Sequence, residues 1–480
     1  MRLWHLTRLE ATRQLTNARF RWVAAASVVL SMIAVNLGLS DYRFRKDQYD
    51  RNVQQLETVR QKDGGRLLAW SMEPGLRVLR PPSVNSILVR GLDAAMPSFW
   101  DLAPAGVIEG AVSPSLAQDT EVGSLTDLEA LIRIVLGLLA VLLGCDAIAL
   151  DRANGMLGAL LSQPIRPAAV VSGKLLGAVI TLSASVGVVL GTAGLTLLAR
   201  GPDLFTRALA QCLFELAILA TVYLCIILLV TVLLSLWIER YEAVLLAGLA
   251  LWAYAALIGP QLVVFGARAL APVPPRQLME SERQGIFDAR DQSTKELLGR
   301  AYRDTVGEPM PNFIDPKAPV AAEIDRLWRA ETVDTRRMMV APEDRLARAS
   351  ALQDRLTWGL ALAEPGALFL ELADGVANTG REYRTEWATA VVAYQSRVNA
   401  QLFDDRPRLV LLAPAVGRAR MILNLDRHPF PSVRDLPGFT QPASRLRERA
   451  SRSVGAIVAL GAYLTALTVA VLRVFSNTRF

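Results

Sequence analysis

Residues 142–174 read LLGCDAIALDRANGMLGALLSQPIRPAAVVSGK and join two apolar runs. Asp146, Asp151 and Arg152 close the first run with a short charged cluster. Gly155 then allows a sharp change of direction, because a residue without Cβ adopts backbone angles that others avoid. Leu157, Leu160 and Leu161 recur at the three- and four-residue spacing that places side chains on one helical face. A helix so short and one-sided is expected to lie flat on a membrane surface. Ser162, Gln163 and Pro164 stop it, since proline disfavours helical angles in the preceding residue and has no N–H to donate. Gly173 and Lys174 open the next long apolar helix.

Apolar runs recur on either side of this stretch. The chain has 480 residues and is 52% apolar, more than an average soluble protein carries. Stretches of about twenty apolar residues, the length that crosses a bilayer core as a helix, fall at 22–39, 131–150, 175–198, 212–236, 243–267 and 454–474. The formal charge of +7 is spread along the chain rather than gathered in one arm. It therefore points to an anionic lipid surface rather than to nucleic acid. Cys145, Cys212 and Cys225 all lie inside proposed spans and behave as small apolar residues, so no disulfide framework is expected in the polar regions. His5 and His428, the two histidines, are expected on opposite sides of the bilayer and do not form a metal centre.

The stretch from Asp151 to Lys174 resembles the first cytoplasmic loop of permease subunits of type-2 ABC transporters, near the bacterial permeases linked to copper-enzyme maturation and gliding-type exporters. In many of that family an acidic-Arg-Glu-x-Gly-Ser/Thr-Leu turn leads to a Leu-rich coupling helix, then Ser-x-Pro, a basic residue and Gly-Lys. Asp151, Arg152, Gly155, Leu157, Ser162, Pro164, Arg166, Gly173 and Lys174 fit this pattern. Ala153 stands where a second acid is usual, and Met156 where a hydroxyl is usual. The resemblance implies an all-α membrane protein of six transmembrane helices. It further implies a dimer with a second copy or a related permease, and a separate ATP-binding subunit that holds ATP and Mg. Asp151, Arg152, Gly155, Leu157, Leu160, Leu161 and Pro164 would then couple the chain to that subunit. Losing the acid and the hydroxyl from both halves of a homodimer weakens two contacts, which favours pairing with a related permease.

The expected organisation follows. Residues 1–21 form a cytoplasmic segment, 22–39 the first span, 41–128 an extracytoplasmic segment and 131–150 the second span. The coupling loop covers 151–167, spans three to five lie within 168–267, and a second extracytoplasmic region covers 268–452. The last span, 454–474, returns the tail 475–480 to the cytoplasm. Arg2, Arg8, Arg13, Arg19 and Arg21 precede the first span and favour a cytoplasmic amino terminus, although Arg43, Arg45, Lys46 and Arg51 follow it. The first apolar run is long and lacks a small-x-small cleavage site, so it is read as an uncleaved anchor rather than a signal peptide. The localisation expected is a bacterial inner membrane, with the chain multi-pass and both termini cytoplasmic.

The polar regions carry weaker signals. Residues 42–62 continue the first span as a charged helix, and 84–89 are expected to form a short strand. Helices are expected at 277–305, 321–339, 343–363 and 366–403, separated by proline-containing loops, with Trp328, Trp358, Phe369, Trp387 and Tyr394 in a core. Residues 268–452 hold 28 basic against 25 acidic side chains, the balance of a solvated folded region. Together the two insertions are expected to form one mainly helical outer domain. Arg133 and Glu215 lie near the outer ends of the second and fourth spans, and intramembrane charges are costly. Either they pair across the two helices, or each reaches its own interface. Gly259 and Pro260 are expected to kink the fifth span or turn it back through the outer leaflet.

No catalytic motif is present. Ser172, Gly173 and Lys174 end like a phosphate-binding loop, but the earlier glycine is replaced by Ala168 and the following hydroxyl by Leu175. The chain is therefore not expected to hydrolyse ATP. Export or mechanical work driven by a partner ATPase is the function the resemblance implies; the alternative is a membrane-anchored scaffold or sensor whose outer domain binds a partner.

Overall fold

The computed structural model describes residues 3–62, 76–103, 106–109, 127–162, 167–311, 314, 318–402, 410–411, 421–422, 438–442 and 446–477. Helix α1 covers Leu3–Thr16 and α2 covers Ala18–Lys62. A sheet of β1 (Leu76–Leu79), β2 (Phe99–Ala103) and β3 (Gly106–Glu109) follows. Then come α3 (Leu128–Ala153), α4 (Met156–Leu161), α5 (Pro167–Arg200), α6 (Arg207–Trp237) and α7 (Tyr241–Leu270). The second polar region holds α8 (Arg276–Val306), α9 (Pro319–Ala361), α10 (Pro365–Ala377) and α11 (Arg381–Leu402), and the last long helix is α12 (Leu446–Asn477).

Six of these helices are long and apolar enough to cross a membrane, and they coincide with the six apolar runs in the sequence. Trp22, Ile33, Leu195, Phe214, Leu246, Phe265 and Val458 point outward from them. So much exposed apolar side chain is unfavourable in water but natural against hydrocarbon, where only the backbone must be satisfied internally. Close approaches between spans are made at small residues. A Cβ on Gly144 would lie 2.7 Å from Thr231, and one on Gly248 would lie 2.8 Å from Val141. Hydroxyl and indole donors bridge other pairs: Ser31 Oγ donates to the Val189 carbonyl at 2.8 Å, and Trp252 Nε1 donates to the Ile134 carbonyl at 2.9 Å. Cys145, Cys212 and Cys225 are buried, and none of them is in a disulfide among the described residues.

Helix α2 runs without a break from its apolar half into its charged half. Beyond the apolar part, Arg45 is buried and donates to Asp41 (3.0 Å) and to Ser86 (2.9 Å), and it is ion-paired with Asp93. Arg80 reaches the same Asp93 at 2.5 Å. Asp93 is thus neutralised from two sides, which offsets the desolvation of a buried carboxylate and fixes the sheet to α2.

The sheet is antiparallel in the order β1-β2-β3, with Val78 opposite Trp100 and Asp101 opposite Ile108. The expected strand at 84–89 is instead a 3-10 turn over Val84–Ile87. Ile87, Leu88 and Val89 are buried together there, and the Ile87 carbonyl sits where only a glycine, Gly38 on α2, leaves room. An alternating strand would turn half of these side chains to solvent.

The two polar regions share a core. Trp100 of β2 stacks on Trp387 of α11 with ring centroids 5.6 Å apart and planes 6° from parallel. Val78, Met96, Leu102, Val391, Tyr394 and Val398 surround them. Since the first region joins α2 to α3 and the second follows α7, the described parts of both lie at one end of the span bundle, opposite residues 151–162. Helices α8 and α9 form a long antiparallel hairpin, stitched by Arg290 to Glu331 (2.7 Å) and Asp334 (2.6 Å).

Two expected boundaries move. The stretches 321–339 and 343–363 are one helix, with Pro342 inside α9; its ring costs one hydrogen bond, and long flanking helical segments keep the direction. The stretch 366–403 is two helices, because Asn378 takes a left-handed conformation at φ 54° and ends α10.

Candidate functional site

At the loop end, α3 leaves the bundle through a π turn over Asp146–Leu150 and ends at Ala153. Asp151, at the base of the loop, is fully buried. Arg13 of α1 donates to it at 3.2 Å, and Lys174 of α5 forms an ion pair with it from the other side. Glu10 of α1 stands 3.7 Å from Lys174, so two acids and two bases from three helices close on one another. A buried acid with two cations avoids the penalty of an uncompensated buried charge. Helix α1 comes this close because α5 presents glycines to it. A Cβ on Gly173 or Gly177 would lie 2.9 Å from the Cβ of Leu6 or of Glu10. One turn on, Thr181 Oγ1 donates to Gln14 at 2.9 Å.

The neighbouring side chains extend this frame. Arg152 donates to the carbonyl of Ile238, at the end of α6, at 3.1 Å. Tyr241 donates to Asp146 at 3.1 Å, and Arg19 lies 3.9 Å from the same carboxylate. The loop base is thereby tied to α1, to the start of α2, to α5 and to the α6–α7 connection.

The turn itself projects from this frame. Gly155 has φ +68°, and nothing lies within 4 Å of where its Cβ would be. Backbone angle, not crowding, is what requires glycine there. Ala153, Asn154, Gly155, Met156 and Gly158 are exposed, while Leu157 is 2% exposed and belongs to the core of the span bundle. The helical spacing that grouped Leu157 with Leu160 and Leu161 located the short helix α4. Leu157 itself faces its own chain and anchors that helix. The side chains of Leu160 and Leu161, and the whole of Pro164, lie outside the described residues.

At the opposite end, of the two alternatives for Arg133 and Glu215, a pair across the helices is not formed. Arg133 donates from Nε to Glu129 at 2.9 Å and hydrogen-bonds through Nη1 to the carbonyl of Ala256. Glu215 accepts instead from Gln211 at 2.7 Å. Glu129 is one turn before Arg133 on the same helix, where side chains four apart are neighbours. The second partner has a different origin. Pro260 has no N–H, so the carbonyl four residues earlier, that of Ala256, lacks its usual helical donor; the guanidinium of Arg133 supplies one. Both helices carry a π turn at this contact, Ile132–Leu136 in α3 and Tyr254–Ile258 in α7. The fifth span therefore continues through Gly259 and Pro260 with a local widening; it does not turn back.

The element that enters the bundle at this end is α10. Leu368 and Leu372 pack with Ile226 of α6 and with Ala456 and Leu460 of α12. Phe369 stacks on Tyr223 of α6 at 4.7 Å. Glu364 caps the helix, accepting from Gly366 N at 3.0 Å and from Ala367 N. A Cβ on Gly259 would stand 2.7 Å from the Glu364 carboxyl carbon, and one on Gly366 would collide with the Ala255 carbonyl. Two glycines thus let the start of α10 sit directly on the π turn of α7.

Residues 15–477 match the model of a family described as ABC-2 family transporter protein. No curated protein matches the chain.

Proposed function

The chain belongs to the ABC-2 family of transporter proteins, making it a permease subunit of an ABC transporter, and from that premise we propose that a separate ATP-binding subunit docks on the turn of residues 153–158. In this reading ATP and Mg reside in the partner. The permease works as a dimer in a bacterial inner membrane, with both termini and the loop 151–166 in the cytoplasm and the two insertions outside. Closure of the ATP-binding subunits moves the turn, and export or work on an outer partner follows.

The observation that carries this reading is the frame around Asp151. An exposed turn sits on a base held by ion pairs and hydrogen bonds to α1, α5 and the α6–α7 connection. A push on the turn is transmitted to several spans at once because the base has few ways to yield. Leu157 holds the small helix to the frame, and the exposed Asn154 and Met156 meet the partner. Since Ala153 and Met156 replace an acid and a hydroxyl, pairing with a related permease that keeps them restores one stronger contact.

The test is purification of the full chain from its native membrane with retention of bound subunits. An ATP-binding subunit and ATPase activity are expected to co-purify, and Met156→Asp, which changes only an exposed side chain, is expected to reduce recovery of that subunit without reducing membrane insertion. A chain recovered free of any ATPase would overturn the reading. Single cysteines replacing Asn154 and Gln292 are expected to react with an impermeant reagent from opposite sides; reaction of both from one side would overturn the sidedness.

A further inference from the structure

We propose that α10 is a plug across the insertion end of the span bundle, that Arg133 is the positioning residue that latches it shut, and that the transport cycle requires α10 to leave its seat. The proposal rests on the permease reading for its link to ATP, but the latch itself is argued from geometry.

Helix α10 is short, apolar and displaced from the region it belongs to by sequence. It follows the α8–α9 hairpin yet packs among α6, α7 and α12, with Leu368 and Phe369 fully buried. Its two ends are held differently. Just past its far end, the Leu92 N–H of the first insertion donates to the Thr379 carbonyl at 2.7 Å, which links the end of α10 to that insertion. The near end rests on the π turn of α7 through Gly366 and through Glu364, the residue that caps α10.

That seat is not an ordinary helix surface. π turns are rare, and single ones inside α-helices occur frequently at functional sites. Two of them face each other here, and Arg133 joins them beside the Trp252–Ile134 hydrogen bond. Arg133 holds Glu129 on its own helix and the Ala256 carbonyl that Pro260 leaves without a helical donor. Were Arg133 to withdraw, the Ala256 carbonyl would lose the donor that stands in for the missing N–H of Pro260, in an apolar surrounding, a costly change that favours rearrangement of the turn. The surface on which Gly366 and Glu364 rest would change with it. Sliding of α3 against α7 is thereby converted into release of α10. The same sliding is what movement of the loop base, at the other end of α3, would produce.

The experiment uses the full chain in nanodiscs, with Cys145, Cys212 and Cys225 replaced by alanine and a single reporter, Phe369→Cys. Its reaction with a water-soluble maleimide is expected to be slow in the parent protein, because the site is closed. Arg133→Gln is expected to raise the labelling rate by about a hundredfold, the size expected when a buried charge loses its partners and a local opening becomes frequent. Arg133→Lys, which keeps the charge but not the fork, is expected to fall between. A second reporter, Leu182→Cys, is buried in α5 away from the latch and is expected to stay protected in every variant. An unchanged rate at Phe369→Cys in Arg133→Gln would overturn the proposal, as would equal exposure of both reporters, which would make Arg133 a general fold staple. None of these readouts needs ATP or the partner subunit, so their failure is distinct from failure of the docking reading. With the partner present, ATP turnover is expected to accelerate labelling at Phe369→Cys; protection that persists through turnover would show that α10 does not move in the cycle.

Discussion

The two ends of α3 solve the same problem with different materials. At the loop end a buried acid, Asp151, is enclosed by the side chains of Arg13 and Lys174. At the insertion end a buried base, Arg133, is satisfied by Glu129 and by a backbone carbonyl of α7. The first arrangement gathers full charges from three helices and is expected to be rigid. The second leans on a carbonyl whose availability depends on the shape of a π turn, so it exists in one conformation of that turn and not in others. A helix fixed at one end and conditionally held at the other is suited to carrying displacement.

The largest effect is expected from breaking the rigid end. Asp151→Ala leaves Lys174 buried beside an empty position, and loss of one partner of a buried ion pair costs about 3 to 5 kcal/mol. The expected outcome is a large drop in the melting temperature of the detergent-solubilised protein, with Asp151→Asn falling between. A melting temperature unchanged in Asp151→Ala would show that the frame is not held by charge.

Gly366→Ala comes next and attacks the conditional end. Its new methyl would meet the Ala255 carbonyl, a backbone atom that cannot swing aside, and such overpacking costs about 1 to 3 kcal/mol. Displacement of α10, read as loss of protection at Phe369→Cys, is expected, with little change around Asp151.

Gly155→Ala sharpens the contrast, because there the methyl has free space and only the backbone angle resists. A left-handed conformation costs an ordinary residue about 1 to 2 kcal/mol. Asparagine, which tolerates that region better, is expected to restore partner recovery where alanine lowers it. Equal loss with both substitutions would place the defect in the docking surface and not in the turn.

A further effect concerns pH at the insertion end. Burial pushes the Asp127 carboxyl up to about 7, against the attraction of Arg90 and with Glu129 and Asp41 adding repulsion. The Arg90 N–H also donates to it at 3.1 Å. Its folded-state pKa therefore lies above the ordinary carboxylate value of about 4. Across that interval the folded chain binds the proton more tightly than the unfolded one, so this group's contribution to stability falls as pH rises. Asp127→Asn is expected to flatten that fall, measured as the difference in melting temperature between variant and parent from pH 4 to 8. A parallel pair of curves would remove Asp127 as the cause.

Some features were legible because they depend only on what lies nearby in the chain. Glu129 and Arg133 are four residues apart, a spacing that makes them neighbours on any helix. The π turns gave no such signal. Leu157 was correctly assigned to a short helix, but helical spacing says which residues share a face and not what that face meets. The strand expected at 84–89 failed for a related reason, since an apolar run of that length reads equally well as a strand or as a turn pressed against Gly38.

What the sequence by itself determined is the set of six apolar spans and the turn at Gly155 between two of them. Hydropathy accumulates over about twenty neighbouring residues, and a glycine needs no distant partner to adopt a positive φ. What only the tertiary structure decided is which charges meet, that Leu157 faces inward, that Trp100 and Trp387 join two insertions separated by most of the chain, and that α10 lies inside the bundle. Each of these depends on how closely two helices approach, and that distance is set where glycines such as Gly173, Gly259 and Gly366 come face to face with a particular neighbour, an encounter that no local pattern encodes.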